Sequence, residues 1–291
     1  MITALVTGGT GFVGSHVARE LLQRGYRVRV LRRATSRLDA IADLDVEHAI
    51  GDILDFDSLL AAMEGVDWVF HTAAVADYWR SEPDWIYRVN VDGTRNVLRA
   101  AEQMDVRRVI FTSSAASIGY RTDLRPVDET VRFNWDPRLT PYGHSKFLSE
   151  AEVYRAIRRG LDCVILNPAV ILGPNDLNQI SSSVVIEVAR DHVPPTVPPG
   201  GVTLIDVRDV AAAHVTAAER GRTGERYLLG AVDVTHKAWM RLTADAVGKP
   251  VRPVTLPAPV VRLLAVLADL ARWTGVRLPL EGNQLRLSTR M

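Results

Sequence analysis

A glycine-rich turn close to the start of the chain restricts the fold more than any other feature. Residues 2–6 form a short apolar run that predicts a strand, and the pattern from residue 13 onward predicts an amphipathic helix. Glycine permits a tight turn and close approach of a ligand to the backbone, and the first amides of a helix attract phosphate. The segment therefore predicts a dinucleotide site at Gly8, Thr10, Gly11, Phe12, Val13 and Gly14. A turn that serves only helix–sheet packing is the alternative.

Short apolar runs continue to alternate with helical patterns further along the chain. Strands are predicted at residues 2–6, 27–31, 46–50, 68–71, 108–112 and 163–167. Helices are predicted between them at residues 13–24, 36–41, 56–63, 84–103 and 141–159. This order is typical of an α/β fold, a Rossmann-type doubly wound parallel sheet with helices on both faces.

Composition changes after residue 174 and predicts a smaller, interleaved C-terminal lobe. Residues 1–174 are assigned to a dinucleotide-binding Rossmann domain, and residues 202–229 partly return to it. Residues 175–201 are rich in Ser and Pro, which predicts a loop or lid. Residues 230–291, with helices near 236–247 and 259–273, are expected to complete a substrate lobe together with that lid.

Bulk composition and the single cysteine limit the classes of binding partner and the cellular compartment that are expected for this protein. With a net charge of +1 the chain lacks the basic excess of a nucleic-acid-binding protein, so a small-molecule ligand is expected. Cys163 cannot form an internal disulfide and lies in an apolar run, which predicts a packing residue. No signal peptide precedes the first strand, and residues 260–273 are too short and too charged to span a bilayer. These observations favour a cytoplasmic protein without a membrane span.

The end of the second strand bears on which dinucleotide binds. A carboxylate there accepts from the ribose 2′-hydroxyl of NAD, whereas arginine accommodates the 2′-phosphate of NADP. Arg32 and Arg33 occupy this position, and the first carboxylate after them is Asp39. NADP is therefore favoured, with NAD as the second choice, and a solvated basic turn is the alternative.

Small and polar residues follow the third and fourth strands, at the edge where ligands of doubly wound sheets bind. Asp52, followed by Ile53, is placed either to accept from the adenine amino group or to cap the helix that follows it. His71 at the end of the fourth strand is interpreted as structural. The ribose and pyrophosphate are expected to lie against the backbone of Thr72, Ala73 and Ala74.

A hydroxyl-bearing strand end and a downstream tyrosine–lysine pair predict proton-transfer chemistry. The fifth strand ends in Thr112, Ser113 and Ser114, where a hydroxyl is able to polarise a carbonyl. Tyr142 and Lys146 lie four residues apart in a predicted helix, so both side chains share one face. An ammonium beside a phenol lowers the phenol pKa, which suits proton transfer near neutral pH. The spacing also arises by chance in helices, and the upstream motifs favour the catalytic interpretation.

The sixth strand ends in a segment that is a candidate for the nicotinamide end of the cofactor. Backbone groups in a turn at Asn167, Pro168, Ala169 and Val170 are placed to hold the carboxamide of the ring. A simple exit from the strand into a loop is the alternative.

Four motifs in this order resemble those of the extended short-chain dehydrogenase/reductases, the NAD-dependent epimerase/dehydratase family, over nearly the whole chain. They are T-G-x-x-G-x-x-G at residues 7–14, H-x-A-A at 71–74, N-V-x-G-T at 90–94 and Y-x-x-x-K at 142–146. Within the family the chain is most similar to the dihydroflavonol 4-reductase-like and hopanoid-associated sugar-epimerase-like branch. Arg33, residues 111–115 and the aromatic stretch at 77–79 carry this closer resemblance.

The resemblance implies roles for single residues. Ser114 is expected to polarise a carbonyl, Tyr142 to act as general acid, and Lys146 to bind the cofactor ribose and lower the phenol pKa. Thr112, Tyr142 and Lys146 are then also cofactor contacts, and no metal is expected. Asn90 is expected to support the framework of the site.

Family members often form homodimers, and the resemblance implies the same arrangement for this chain. The contact would run through the helices predicted at 84–103 and 141–159. The apolar residues Val89, Val97, Leu98 and Ala101 equally suit packing against their own sheet.

These features favour an NADP-dependent oxidoreductase that reduces a ketone or aldehyde by hydride transfer. A pocket lined by Tyr78, Trp79, Ile118 and Val170 is apolar and aromatic, which suits a small apolar or aromatic substrate. A nucleotide-sugar epimerase with tightly bound NAD(P) is the alternative, although Arg32 stands where many epimerases carry Asp. A dinucleotide-sensing regulator without chemistry is opposed by the intact tyrosine–lysine pair.

Overall fold

A parallel sheet of seven strands forms the centre of the computed structural model, which describes residues 1–76, 81–121, 125–190, 196–249 and 251–273. Its strands are β1 (Thr3–Thr7), β2 (Arg27–Arg32), β3 (Glu47–Ile50), β4 (Trp68–His71), β5 (Arg108–Thr112), β6 (Cys163–Pro168) and β10 (Arg226–Leu229). The strand order is β10-β6-β5-β4-β1-β2-β3. This arrangement confirms the predicted doubly wound α/β fold.

Helices cover both faces of this sheet, which explains why its central strands are continuous apolar runs. They are α1 (Phe12–Gln23), α2 (Phe56–Met63), α3 (Pro83–Tyr87), α4 (Gly93–Gln103), α5 (Pro141–Arg159) and α7 (Val207–Arg220). Successive side chains of a strand point to opposite faces. Accordingly, Leu5 and Phe111 belong to one buried cluster, whereas Val6 and Ile110 belong to the other. Cys163 is fully buried in the first cluster, which confirms it as a packing residue.

The remaining elements build a smaller layer beside the carboxyl edge of the sheet. They are β7 (Val170–Leu172), β8 (Thr196–Val197), β9 (Gly201–Asp206), β11 (Val232–Thr235) and β12 (Val254–Thr255), with α6 (Ser183–Ala189), α8 (His236–Ala246) and α9 (Ala258–Trp273). Strands β11, β9 and β7 form one sheet, and β12 pairs with β8. A small apolar cluster that includes Val188 and Met240 joins α6 to α8. Among the described residues, no helix combines the length and apolar character needed to cross a bilayer.

Three predicted elements differ from the structure. The helix predicted at 36–41 is a single 3-10 turn at Asp39–Ile41, in which only Ala40 and Ile41 are buried. The helix predicted at 84–103 is divided by a π-helical turn at Arg88–Asp92. The lid predicted as a loop at 175–201 contains α6 and β8.

The Asp176 carboxylate determines where α6 begins, and the Ser-rich composition of the segment does not indicate this. The Asp176 carboxylate accepts from the backbone amides of Ile180, Ser181 and Ser182 at 2.9–3.1 Å. These bonds fix the turn from which α6 begins at Ser183. A single buried carboxylate therefore orders a segment that its composition assigns to a loop.

Candidate functional site

One cleft of about 1970 Å³ runs along the carboxyl edge of the parallel sheet and ends against the smaller layer. The crevice lies where strand order reverses, with β2 on one side of β1 and β4 on the other. The structure brings to it the predicted residues Gly8, Thr10, Gly11, Phe12, Val13, Gly14, Arg32, Arg33, Asp52, Ile53, Thr72, Ala73, Ala74, Thr112, Ser114, Tyr142, Lys146, Pro168, Ala169 and Val170. Asn167 is the exception among the predicted residues.

The glycine turn leaves space that side chains would fill. Gly8 has a φ of +70°, and a Cβ on Gly14 would lie 2.3 Å from the Gly8 carbonyl oxygen and 2.7 Å from Thr72 Oγ1. The Gly11 amide donates to that same carbonyl at 2.9 Å. Gly11 is also the N-cap of α1, and no side chain caps the helix there. The first amides of α1 therefore remain available to an anion, so the turn fits the pyrophosphate of a dinucleotide.

Two arginines stand at the end of β2, on the same cleft. Arg32 Nε donates to His48 Nδ1 at 3.2 Å. The Arg33 side chain has no ion-pair partner in the part of the chain that the structure describes, and its backbone amide donates to Ser36 Oγ at 3.1 Å. The first carboxylate downstream, Asp39, is paired with Arg37 at 3.0 Å. Within the described ranges, the cleft therefore presents a cation without a paired carboxylate at this end.

Asp52 lines the cleft, and its interpretation as a helix N-cap is wrong. Helix α2 begins at Phe56, and its N-cap is Asp55, whose side chain accepts from the Ser58 amide at 3.3 Å. Asp52 Oδ1 instead accepts from the Leu54 amide at 2.9 Å and closes a turn ahead of the helix. The contact of Asp52 with an adenine amino group stays a prediction.

His71 is structural, as its sequence context indicated. The ring is buried, with Nδ1 2.8 Å from Thr7 Oγ1 and Nε2 3.0 Å from Thr94 Oγ1. Burial, assisted by the charge of Lys146, lowers the pKa of His71 to about 3. A neutral imidazole that joins β1, β4 and α4 follows from these contacts.

His214 is a second buried histidine. The sequence pattern does not indicate its role, because it is one polar residue on the apolar face of α7. Its Nδ1 lies 2.7 Å from the Val210 carbonyl, so Nδ1 carries the proton and Nε2 accepts from Thr112 Oγ1 at 2.7 Å. Burial lowers the pKa of His214 to about 4. Thr112 was predicted as a cofactor contact, but its hydroxyl is directed at His214. The backbone carbonyl of Thr112 instead accepts a hydrogen bond from Lys146 Nζ.

Acid is expected to destabilise the protein through these two histidines. The unfolded chain protonates them near pH 6.5, whereas the folded protein keeps them neutral down to about pH 4. The unfolded state therefore binds more protons in this window, and the free energy of unfolding falls as the pH falls. We expect His214→Gln to flatten this slope by up to about 1.4 kcal/mol per pH unit, measured by urea unfolding. A variant with the wild-type slope would contradict a neutral His214.

Tyr142 and Lys146 lie on the first two turns of α5, facing the cleft. The helix starts at Pro141, and Thr140 Oγ1 caps it by accepting from the Gly143 amide at 3.3 Å. Lys146 Nζ donates to the Thr112 carbonyl at 2.8 Å and stands 5.1 Å from the centre of the Phe111 ring. Lys146 is only 3% exposed, and burial lowers its pKa to about 8. Its ammonium is therefore fixed in position and close to its titration point at neutral pH.

Ser114 follows β5 and begins a 3-10 turn at Ala115–Ser117. Its Oγ accepts from the Ala116 amide at 3.1 Å, which orients the hydroxyl on the cleft wall. No described residue accepts the proton of this hydroxyl, so it remains available to an oxygen in the cleft. This is the geometry required of a group that polarises a carbonyl.

The prediction that backbone groups of Asn167 contact the cofactor is wrong, because the whole residue is buried and does not line the cleft. The two protons of its Nδ2 are shared among the Ser114 carbonyl at 3.1 Å, Ser117 Oγ at 2.9 Å and Glu150 Oε1 at 2.7 Å. The predicted turn is also absent at this point, since β6 continues through Pro168 and β7 begins at Val170. Two adjacent strands meet there and present Ala169 to the cleft.

Asn90 has the structural role that the resemblance implied. It is buried in the π-helical turn, where Oδ1 accepts from the Val75 amide at 2.8 Å. Its Nδ2 donates to the Val75 carbonyl at 3.1 Å and to Ser145 Oγ at 2.9 Å. The extra residue of a π-turn redirects the local side chains, and here it accompanies a link from the segment after β4 to α5.

The substrate side of the cleft is partly apolar and aromatic. Ile118 and Val170 line it, as do Trp135 and Trp239. Trp135 Nε1 donates to the Ile118 carbonyl at 3.1 Å, which fixes the indole against the wall. Tyr78 and Trp79, also predicted for this pocket, lie outside the described residues.

The helices predicted to form a homodimer pack on their own chain with the apolar residues considered for that contact. Val97, Leu98 and Ala101 are buried in the cluster between α4 and the sheet, and Val89 packs against it. The alternative interpretation of these residues is thus correct. A homodimer through α4 and α5 stays a prediction, and it would have to use other residues.

The sheet, the uncapped glycine turn and the cleft define a dinucleotide-binding enzyme of the Rossmann type. The sequence pattern of the NAD dependent epimerase/dehydratase family matches residues 4–230. The chain belongs to this family and is an NAD(P)-dependent enzyme of the extended short-chain dehydrogenase/reductase type.

Two relatives and one solved structure illustrate the similarity. A candidate dihydroflavonol 4-reductase from Synechocystis sp. is 37% identical over 290 residues, covering 96% of this chain and 83% of that protein. Cinnamoyl-CoA reductase 1 from Oryza sativa subsp. japonica is 36% identical over 239 residues, covering 77% of this chain and 69% of that protein. The crystal structure of gox2253 superimposes with a TM-score of 0.88 at 35% identity, covering 100% of this chain and 89% of that one.

Proposed function

We propose that the protein is an NADP-dependent reductase of a ketone or aldehyde carried by a small apolar or aromatic substrate. The observation that carries the proposal is the convergence of three groups on one cleft wall. Tyr142 and Ser114 line that wall, and the Lys146 ammonium is held beside it by the Thr112 carbonyl. These are the proton donor, the carbonyl-polarising hydroxyl and the fixed charge that such a reaction requires.

Tyr142, Ser114 and Lys146 each have a separate role in the proposed reaction. A dinucleotide held at the glycine turn would supply the hydride that reduces the carbonyl carbon. Tyr142 donates its phenolic proton to the carbonyl oxygen, while the Ser114 hydroxyl donates a hydrogen bond to the same oxygen. The Lys146 ammonium stabilises the phenolate left on Tyr142, because an adjacent positive charge favours the ionised form. The glycine turn and the first amides of α1 hold the pyrophosphate.

The choice of NADP over NAD rests on Arg33, which has no ion-pair partner among the described residues. We expect Arg33→Ala to weaken NADPH binding by about tenfold to a hundredfold, because a charge-assisted hydrogen bond to the 2′-phosphate is lost. NADH binding should change little, since NADH lacks that phosphate. Arg27→Ala is the matched control, because Arg27 is an exposed arginine at the opposite end of β2 and does not line the cleft. Fluorescence titration with both dinucleotides measures these affinities, and equal losses for NADPH and NADH would contradict the assignment.

The names of the two relatives support a reductase, since each of them is called a reductase. The family also contains epimerases, so a nucleotide-sugar epimerase with tightly held cofactor is the second candidate. A panel of aromatic and alicyclic ketones and aldehydes, assayed with NADPH and NADH side by side, tests the proposal. Stoichiometric loss of NADPH absorbance is expected. Turnover of a sugar nucleotide without added cofactor would favour the epimerase instead.

A further inference from the structure

Glu150 is a buried carboxylate on α5 that the proposed mechanism does not use. It lies one helical turn beyond Lys146 and two turns beyond Tyr142, and it is only 2% exposed. Its Oε1 accepts from Ser113 Oγ at 2.5 Å, from Ser117 Oγ at 2.6 Å and from Asn167 Nδ2 at 2.7 Å. These contacts hold the Glu150 carboxylate against the Ser113–Ser117 segment and against Asn167 on β6.

The second oxygen of Glu150 extends these contacts to the edge of the sheet. Arg226 Nη1, on β10, donates to Oε2 at 3.2 Å. Arg226 Nη2 donates to the Glu129 carbonyl, and the Glu129 side chain accepts from the Leu228 amide at 2.8 Å. Glu150 therefore joins α5 to the Ser113–Ser117 segment, to β6, and through Arg226 to β10 and the segment around Glu129.

The positions that these contacts fix are next to the cleft wall. Asn167, bound to Glu150, also donates to the Ser114 carbonyl at 3.1 Å. The single proton of the Ser117 hydroxyl is shared between Glu150 Oε1 at 2.6 Å and that same carbonyl at 2.7 Å. Glu150 thereby fixes the backbone that carries the Ser114 hydroxyl relative to the helix that carries Tyr142. A buried ion pair adds little net stability, because desolvation offsets the attraction. The position of the Glu150–Arg226 pair is better explained by what it orders.

We propose that Glu150 is a positioning residue for the reaction, which holds the Ser114 backbone against α5 and places a negative charge one helical turn from the Lys146 ammonium. This inference rests on the proposed function of Tyr142 and Lys146. It assigns to one carboxylate both the geometry and the electrostatics of the cleft wall.

The charges around Lys146 give this inference a pH signature. On α5 Lys146 has Tyr142 and Glu150 one turn away on either side, and the histidines of β4 and α7, His71 and His214, are neutral. Arg226 lies on the far side of Glu150. Burial lowers the pKa of Lys146, and the Glu150 carboxylate opposes that decrease. Removing the carboxylate should therefore release the Lys146 proton at lower pH.

The test compares Glu150→Gln with Glu152→Gln. Glu152 is a second buried carboxylate of α5, but it is paired with Arg95 and Arg155 away from the cleft. For Glu150→Gln we expect kcat to fall by about tenfold to a hundredfold and the alkaline limit of the kcat profile to move down by about one pH unit. Glu152→Gln should keep the wild-type kcat and alkaline limit. Loss of activity in Glu150→Gln without movement of the limit would overturn the electrostatic role.

Two further measurements separate this inference from folding defects and from the proposed function. Glu150→Asp keeps the negative charge but has a shorter side chain. Its kcat should therefore still fall, whereas its alkaline limit should move by less than about half of the shift expected for Glu150→Gln. Titration of the Lys146 side-chain NMR signal across pH in the cofactor-free protein, with the signal assigned by its loss in Lys146→Arg, reports the protonation of Lys146 without any substrate. A lower midpoint in Glu150→Gln supports the inference even if no carbonyl compound is reduced. The wild-type midpoint in that variant would overturn it.

Discussion

Replacing Tyr142 with phenylalanine is expected to lower kcat for NADPH-dependent carbonyl reduction by about a thousandfold. The substitution removes one oxygen from a side chain that lines the cleft and leaves the ring in place. Without the phenol, the reaction loses the proton donor that the proposal assigns to it. Because the loss belongs to the transition state, kcat and kcat/KM should fall together. Steady-state kinetics on the best substrate of the carbonyl panel measures both.

Tyr154→Phe is the matched control for this prediction. Tyr154 belongs to the same helix three turns further on, packs against the hydrophobic core and does not line the cleft. It should retain wild-type kcat, and fluorescence titration should show that both variants still bind NADPH. If Tyr142→Phe keeps more than about a tenth of wild-type activity, Tyr142 is not the general acid.

The parts of the fold that sequence predicted well have local causes. Helix α5 has the bounds predicted for it because Thr140 caps its start, proline stands at its first position and Gly160 adopts a left-handed conformation at its end. Strands β4 and β5 also match, since buried parallel strands are continuous apolar runs. Each of these signals lies within a few residues of the element that it defines.

The parts that sequence missed depend on contacts between distant segments. Glu150 binds partners 17, 33, 37 and 76 residues away, and His214 binds Thr112 across 102 residues. Asn167 was placed on the correct strand but assigned to the wrong side of the cleft wall. The pattern of a strand predicts that successive side chains lie on opposite faces of the sheet. It does not predict which polar side chain forms a hydrogen bond to a distant buried residue. The cleft wall was therefore predictable, whereas the network that supports it was not.

Replacing Gly14 with alanine is expected to lower NADPH affinity by about a hundredfold, the second large effect that the structure predicts. The added methyl group would lie 2.3 Å from the Gly8 carbonyl oxygen and 2.7 Å from its carbon. That carbonyl is backbone and already accepts from the Gly11 amide, so it cannot move without displacing the turn. The displaced turn would occupy the place of the pyrophosphate. The free energy of unfolding should also fall, by about 1–3 kcal/mol.

Gly25→Ala separates loss of the site from loss of stability. Gly25 has a φ of +81° and open space around its Cβ position, and it lies in the turn after α1, outside the cleft lining. Alanine there is strained by about 1–2 kcal/mol, yet it touches nothing that binds a ligand. We therefore expect Gly25→Ala to unfold at lower urea concentration and to bind NADPH with wild-type affinity. If Gly14→Ala loses stability but keeps its affinity for NADPH, the glycine turn serves helix packing and the dinucleotide binds elsewhere. Affinity lost by Gly14→Ala alone would place the pyrophosphate against the start of α1, where the added methyl group meets the Gly8 carbonyl.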